Sequence, residues 1–290
     1  MTILVLGLPL PCKTIVRWLK ENGLNVKVSN IFEALSSKDP DIVHFVYSPT
    51  GKFRGPIIFS LMKLTRKKII IHWVGSDVFQ LFKSKKWVLL TKLTSKLVDK
   101  QLTVSPWLKE ELSCFGVHTQ IVPIVPHVRQ KVSKLPEEFT VLAYLPEKRY
   151  DFYGGHIVEK LSDMFPSIRF FILANDGRNH KKRKNIKYLG SISHVKMSQI
   201  YKKTTVLIRM PIHDGLSNMV IEALAQGRYV IYSKNFPHCF HAKNFEDAKD
   251  HITNLYEVNE PNYAGAEFSL AFINRSIKKL LALYSEMSCM

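Results

Sequence analysis

Short apolar runs alternate with amphipathic stretches along the whole chain of 290 residues. The runs are rich in β-branched and aliphatic residues, which is typical of strands buried in a parallel sheet, and the stretches between them repeat apolar positions with the period of a helix. The first half predicts strands at 2–6, 42–47, 69–72 and 102–104 and helices at 13–21, 55–64, 87–99 and 106–114. The second half predicts strands at 140–143, 169–173, 206–208 and 229–232 and helices at 155–164, 195–202, 219–226 and 268–284. This alternation predicts an α/β protein with doubly wound sheets.

The break between the two halves lies in a proline-rich stretch. Residues 123–136 include Pro123, Pro126 and Pro136 and show no clear periodicity, which predicts a linker. We therefore expect a first Rossmann-like domain over 1–130, a second over 131–267 and a terminal helix over 268–290.

Composition narrows the class of protein. Hydrophobic residues make up 46% of the chain and aromatic residues 11%, which indicates a globular protein. No apolar run approaches the roughly 18 residues that a membrane-spanning helix needs. The opening residues lack a basic segment and predict a strand rather than a signal peptide. The four cysteines have neither metal nor redox spacing, so we expect free thiols and a cytoplasmic protein.

The chain is strongly basic. It has 42 Lys and Arg against 24 Asp and Glu, a formal net charge of +18. Such a charge attracts polyanions, whether nucleic acid, an anionic membrane or a phosphorylated substrate, and does not choose among them. The sequence lacks an RNA-recognition motif, a zinc pattern and a convincing helix-turn-helix signal, so nucleic acid binding is kept only as an alternative.

The segment 208–233 carries the clearest chemistry. Asp214 and Glu222 are eight residues apart, separated by a turn-forming tetrad and the start of an apolar helix, and Gly227 is placed to end that helix. The pattern predicts strand, loop, helix and strand. It brings two acids and a helix N-terminus to the carboxyl end of a parallel strand, where open α/β sheets bind ligands.

This segment resembles the donor-site signature of the retaining glycosyltransferases of family 4, which have the GT-B fold of two Rossmann-like domains facing a central cleft. The usual form is Glu-Gly-Phe-Pro-Asn, three apolar residues and Glu-Ala-Met-Ala-x-Gly. Asp214 stands at the first Glu and Glu222 at the second. The other positions in register are Gly215, Asn218, Ala223, Ala225 and Gly227. Weaker collinear likenesses cover 41–49, 69–78, 102–117 and 185–208.

The resemblance implies that the terminal helix over 268–290 packs back across the first domain, and it implies roles for several residues. Glu222 would bind the ribose hydroxyls of a nucleotide sugar, and Asp214, with Gly215 beside it, would face the transferred sugar. The helix that begins near Ser217 and Asn218 would offer N–H groups to the phosphates.

In the first domain, the resemblance implies that His72 would contact the sugar near the reacting carbon. Gly7 would bring the backbone close to the donor diphosphate or the acceptor. The alternative for His72 is a structural role at the end of a strand, with its hydrogen bonds made within the protein.

The cations at the leaving phosphate are less well matched. The family has Gly-Arg-Leu followed by Lys, and the corresponding text here is AYLPEKRYD at 143–151. Lys148 aligns with the family Lys, whereas Tyr144 replaces the Arg. Arg149 and Arg209 are the candidates to supply the missing charge. The alternative for Lys148 and Arg149 is that both are solvent-exposed side chains without a role at a phosphate.

The implied activity is transfer of a sugar from a nucleotide-diphosphate donor to a glycan or lipid-linked acceptor, with retention and without a metal or a separate cofactor. The departures at Tyr144 and Asp214 leave open a catalytically silent or epimerase-type GT-B protein.

Residues 82–100 form a basic amphipathic segment. Lys92, Lys96 and Lys100 recur every four residues, with leucines on a neighbouring face. This predicts either a helix lying on the anionic inner face of a membrane or a surface helix whose apolar stripe packs on the sheet.

Overall fold

The computed structural model describes residues 2–36, 41–47, 55–128 and 132–289. The chain divides into two compact units, the first made of Met1–His127 with Ile273–Met290 and the second of Val128–Phe272. Positions 48 and 49 of the family-like segment 41–49, and positions 129–131 of the expected linker, lie outside the described residues.

The first unit is built on a six-stranded parallel sheet in the order β2-β1-β3-β4-β5-β6. Its strands are β1 (Thr2–Gly7), β2 (Asn25–Val28), β3 (Ile42–Val46), β4 (Lys68–Trp73), β5 (Lys100–Thr103) and β6 (Gln120–Ile121). Its helices are α1 (Pro9–Glu21), α2 (Ile31–Ser36), α3 (Gly55–Leu64), α4 (Ser76–Lys83), α5 (Lys85–Ser95) and α6 (Pro106–Cys114).

The second unit has another six-stranded parallel sheet, in the order β12-β11-β10-β7-β8-β9. Its strands are β7 (Thr140–Tyr144), β8 (Arg169–Leu173), β9 (Ile186–Gly190), β10 (Val206–Arg209), β11 (Tyr229–Tyr232) and β12 (Phe240–His241). Its helices are α7 (Gly155–Met164), α8 (His194–Lys202), α9 (Asn218–Ala225) and α10 (Phe245–Leu255). The predicted α/β class with doubly wound sheets is confirmed.

The terminal helix α11 (Tyr263–Cys289) contributes to both units. In the second unit, the Ser269 hydroxyl donates to the Ile221 carbonyl at 2.8 Å. In the first unit, Leu283 and Tyr284 are buried, and the Lys68 ammonium donates to the Met287 carbonyl at 2.6 Å. A cation on the last turn of a helix satisfies a carbonyl that has no partner within the helix. Among the described residues, no helix is long and apolar enough to cross a membrane.

The strands that the hydrophobic pattern missed are β2, β6, β9 and β12, which are the four edge strands of the two sheets. Edge strands are short and covered on fewer sides, so their sequences need no continuous apolar run. The eight strands that the pattern predicted are the eight inner ones, where both faces are covered. The pattern also missed α2, α4 and α10.

Each sheet reverses its strand order at its first strand, which is where open α/β sheets generally bind ligands. β1 lies between β2 and β3, and β7 lies between β10 and β8. Helices cross to opposite faces at such a point, which leaves a crevice at the carboxyl ends of the strands. The residues at these ends are Gly7 and Val46 in the first sheet and Tyr144 and Arg209 in the second.

Candidate functional site

Two loops meet at the reversal point of the second sheet. The loop after β7 contains two 3₁₀ turns, Glu147–Arg149 and Asp151–Tyr153, and then Gly154 with a φ of +81°. A Cβ on Gly154 would lie 2.8 Å from the Met210 carbonyl, so only glycine allows this close approach. The Ile212 N–H donates to the Phe152 carbonyl at 2.9 Å. The loops after β7 and β10 are thereby joined through their backbones.

A buried ion pair lies at the end of β10. The Arg209 guanidinium donates to both carboxylate oxygens of Asp214, at 2.6 and 3.1 Å, and the Tyr232 hydroxyl donates to the same carboxylate at 3.1 Å. The side chains of Arg209 and Asp214 are 10% and 14% exposed. Burial acts to lower the pKa of Arg209, but the Asp214 carboxylate outweighs it and the pKa is raised above its ordinary value.

Strand register explains why these groups converge. β10 pairs with β11 so that Arg209 lies opposite Tyr232, and it pairs with β7 so that Ile208 lies opposite Ala143. The next residue of β7, Tyr144, therefore ends beside Arg209.

Aromatic rings line the loop around this guanidinium. It lies 5.9 Å from the ring of Tyr144 and 5.2 Å from that of Tyr153, and the two rings are edge to face at 5.3 Å. Rings at these distances stabilise a cation through their π faces. The tyrosine that replaces the family arginine therefore contacts Arg209.

The two cations of the preceding loop, Lys148 and Arg149, are exposed. Arg149 lies over the ring of Phe152 at 4.0 Å and over that of Tyr153, which also contacts Arg209, at 5.4 Å. Within the described residues, the structure gives Lys148 no hydrogen bond or ion pair. Their role at a phosphate stays a prediction.

Glu222 lies one turn into α9 and is only 12% exposed at its side chain. The Tyr201 hydroxyl of α8 donates to Oε2 at 2.9 Å, and His194 Nδ1 lies 3.9 Å from Oε1. Burial raises the pKa of Glu222, while the hydrogen bond from Tyr201 and the charge of His194 act against that rise. The carboxylate is oriented by Tyr201, and its ribose-binding role stays a prediction.

The start of α9 has the form that the sequence predicts. Ser217 is the residue before the helix, its carbonyl accepts from Val220, and its side chain makes no capping bond. The Gly215 carbonyl accepts from the Tyr232 hydroxyl at 3.4 Å. The N–H groups of a first helical turn lack carbonyl partners within the helix, which suits them to an anion. Gly227 ends the helix with a φ of +75°, which confirms that prediction.

Gly7 lies at the reversal point of the first sheet. Its φ is +132°, and a Cβ there would lie 1.7 Å from the Val46 carbonyl oxygen. The neighbouring strand alone therefore requires glycine, and a contact with the donor or acceptor stays a prediction.

His72 lies in the core of the first unit and is fully buried. Its Nε2 donates to the Val122 carbonyl at 2.7 Å, and its Nδ1 lies 3.3 Å from His44 Nε2. His44 Nδ1 bonds in turn to the Tyr284 hydroxyl. One set of tautomers satisfies all four groups, with Tyr284 donating to His44, His44 to His72 and His72 to Val122. This geometry gives His72 a structural role, and its contact with the sugar stays a prediction.

Both rings are held neutral. Burial lowers the pKa of His72 to about 4. Burial, together with repulsion from His72, lowers the pKa of His44 well below its ordinary value.

The solved structures that this chain resembles are glycosyltransferases. Anabaena HepE, crystallised with UDP and glucose, is 12% identical with a TM-score of 0.73, and the match covers all of both chains. Sucrose-phosphate synthase from Thermosynechococcus elongatus is 11% identical with a TM-score of 0.70, again over both whole chains. The lipopolysaccharide outer core galactosyltransferase WaaB is 13% identical with a TM-score of 0.69, over 99% of this chain and all of the other.

The chain has the GT-B fold. At these identities the likeness establishes the fold and not the reaction. No protein-family model and no curated protein sequence matches the chain. The fold predicted from the donor-site signature is confirmed, whereas membership of family 4 and retention stay predictions.

Sequence reasoning missed the tyrosines of this GT-B site. Tyr201, Tyr232 and Tyr153 each contact a residue that the sequence predicts to belong to the site. The sequence carries only a weak signal for these tyrosines. Tyr232 ends a buried strand beside the reversal point, where a side chain with a hydroxyl group is unusual. Tyr201 lies in a helix, and nothing in its spacing connects it with Glu222.

No group of three or more His, Cys, Asp or Glu side chains among the described residues is arranged to hold a metal ion. Independence from metals is a separate matter of mechanism and stays a prediction.

We expect Arg209→Met to destabilise the protein by about 3 kcal/mol, because it leaves the Asp214 carboxylate buried without its cation. Adding Asp214→Asn should recover part of that loss. Urea unfolding of the two single variants and the double variant measures the coupling. The surface pair Lys249 and Glu246 is the control and should show a much weaker coupling, because water screens it. Additive losses at Arg209 and Asp214 would contradict the structure.

We expect the free energy of unfolding to decrease as the pH is lowered from about 6.5 to about 4, partly through His44 and His72. Unfolded histidine takes up a proton near 6.5, whereas folded His72 does so only near its lowered pKa of about 4. The unfolded state therefore binds more protons in this window, and this contribution levels off below the folded pKa. Urea midpoints across the window should change less steeply in a His44→Gln, His72→Gln double variant. Equal slopes for the variant and the wild type would refute the neutral pair.

Proposed function

We propose that this protein is a glycosyltransferase that uses a nucleotide-diphosphate sugar as donor and a glycan or lipid-linked glycan as acceptor. We further propose that the transferred sugar is a hexose and that transfer proceeds with retention. It needs no metal and takes place in the cytoplasm. The observation that carries it is the position of Glu222. This oriented carboxylate lies on the helix that begins after the reversal point of a GT-B second sheet.

The donor's ribose is the group that suits Glu222. Two vicinal hydroxyls donate to the two oxygens of one carboxylate, and charged acceptors form the stronger hydrogen bonds. Tyr201 occupies one direction at Oε2 and holds the carboxyl in place. HepE, with the same fold, was crystallised with UDP and with UDP-glucose, which supports a donor of this kind.

The diphosphate is the leaving group. The bond between the anomeric carbon and the phosphate oxygen breaks, the acceptor oxygen forms a bond to that carbon, and the proton of the acceptor hydroxyl passes to the departing phosphate oxygen. Negative charge grows on the departing oxygen, so fixed N–H groups and cations beside it stabilise the transition state. We assign this role to the first turn of α9 and to the exposed side chains of Lys148 and Arg149.

The contacts of Asp214 favour one alternative function, that of a catalytically silent protein. In the family it would face the transferred sugar, but here its carboxylate is bonded to Arg209 and Tyr232. A protein that binds the donor and does not transfer the sugar would tolerate this arrangement. The two functions differ in turnover: release of nucleoside diphosphate from the bound donor supports the transferase, and binding without release supports the silent form.

We expect a UDP-, GDP- or ADP-sugar to raise the melting temperature, because a ligand that binds only the native state stabilises it. One plate of these donors, with a single-stranded oligonucleotide as a further well, tests both donor and class. A shift with the oligonucleotide alone would favour the nucleic acid alternative.

Glu222→Ala should abolish binding of the donor found in that screen, and Tyr201→Phe should weaken it about tenfold through the loss of one oriented hydrogen bond. Calorimetry measures both. Glu246→Ala, an exposed acid in the first turn of α10, is the control and should bind as the wild type does. Unchanged affinity in Glu222→Ala would remove this residue from the site.

Lys148→Ala with Arg149→Ala should lower kcat by about 100-fold and change KM little, because charge at the leaving oxygen develops only in the transition state. Steady-state release of nucleoside diphosphate gives both constants. Lys181→Ala with Lys182→Ala removes the same charge from an exposed loop and should leave both constants unaltered. An effect confined to KM would assign Lys148 and Arg149 to ground-state binding.

A further inference from the structure

The basic segment 82–100 is not one helix. α4 ends at Lys83, α5 runs from Lys85 to Ser95, and β5 begins at Lys100. Ser84 caps α5 by accepting from the Trp87 N–H.

Two of the three leucines of α5 face outward. Leu89 and Leu93 are 60% and 50% exposed, whereas Thr91 and Thr94 are buried. The alternative in which the leucine stripe packs on the sheet is therefore wrong for Leu89 and Leu93, because Thr91 and Thr94 occupy the inner side of α5. Isolated exposed leucines are common on proteins, so these two are informative only because neighbouring elements expose further apolar side chains.

Neighbouring helices continue this surface. α3 packs against α5 and exposes Ile57, Leu61 and Leu64, which share one helical face. α4 also packs against α5 and exposes Phe82. We call the outward sides of α3, α5 and the end of α4 the α3–α5 face.

Positive charge accompanies the apolar groups. Lys85, Lys92 and Lys96 are exposed, and their spacing puts them on the same side of the segment as Leu89 and Leu93. Neither α3 nor α5 contains an acidic residue. Asp99, which follows α5, is paired with Lys63 at 2.6 Å.

We propose that the α3–α5 face docks on an anionic lipid bilayer. The leucines and Phe82 enter the boundary between headgroups and acyl chains, and the lysines remain at the level of the anionic headgroups. Charge complementarity selects this occupant: an apolar surface ringed by lysines and free of acids matches a negatively charged, apolar-cored sheet. The face belongs to the first unit, so the inference does not depend on donor binding by the second.

Flotation of the full chain with vesicles tests the docking. Vesicles of about one third phosphatidylglycerol in phosphatidylcholine should bind the protein, and vesicles of phosphatidylcholine alone should bind it much more weakly. Salt should weaken binding to the anionic vesicles. Lys85→Gln, Lys92→Gln, Lys96→Gln should lower the partition coefficient on the order of 100-fold. Leu89→Ser with Leu93→Ser should lower it by about tenfold or more.

Matched controls separate this face from bulk charge and bulk hydrophobicity. Lys181→Gln, Lys182→Gln, Lys184→Gln removes the same charge from the second unit, and Met164→Ser with Leu270→Ser removes two other exposed apolar side chains. Both controls should float as the wild type does, and all variants should keep the wild-type melting temperature. If one variant of the face is less stable, the single substitution Leu89→Ser replaces it.

Three results would overturn the proposal. The first is equal binding to neutral and anionic vesicles. The second is an equal loss in the controls. The third is absence of vesicle binding together with a dimer, seen by light scattering, that Leu89→Ser with Leu93→Ser dissociates, since the face would then join two copies of the chain.

Discussion

The ion pair between Arg209 and Asp214 holds the loop between β10 and α9 of the second unit in place. It joins the end of β10 to the turn that leads into α9, and it lies where the strand order reverses. Removing two charges from water is costly, and the cost is offset only when the geometry satisfies both groups. Two hydrogen bonds between the pair and a third from Tyr232 meet that condition. The start of α9, and with it the position of Glu222, follows from this closed arrangement.

Tyrosine hydroxyls donate to three acids of this unit. Tyr232 donates to Asp214, Tyr201 to Glu222, and Tyr150 to Glu159. A tyrosine reaches across a core with an apolar ring and supplies one donor at its tip, so it can hold a carboxylate without adding a charge. Cations also contact these acids, Arg209 at Asp214 and Arg183 at Glu159, and Arg209 lies against tyrosine rings. A site built in this way fixes its acids while keeping the net charge of the interior low.

The first unit stabilises its buried polar side chains through neutral groups. Its central strands β3 and β4 carry His44 and His72, and the terminal helix supplies Tyr284 to complete their hydrogen bonds. Neutral groups that donate in one consistent direction avoid the cost of buried charge. The terminal helix is thereby tied to the centre of the first sheet by a polar contact, in addition to the apolar packing of Leu283 and Met287.

The sequence by itself determined the inner strands, the α/β class, the GT-B fold and the helix that starts after Ser217 and stops at Gly227. Buried strands need continuous apolar runs and helix ends need particular residues, so both leave local marks in the sequence. Edge strands leave none, which is why β2, β6, β9 and β12 were missed. Only the tertiary structure decided the partners: Arg209 with Asp214, Tyr201 with Glu222 and His44 with His72. It also decided that Leu89 and Leu93 face outward, because strand register and helix packing join residues whose separation along the chain carries no signal.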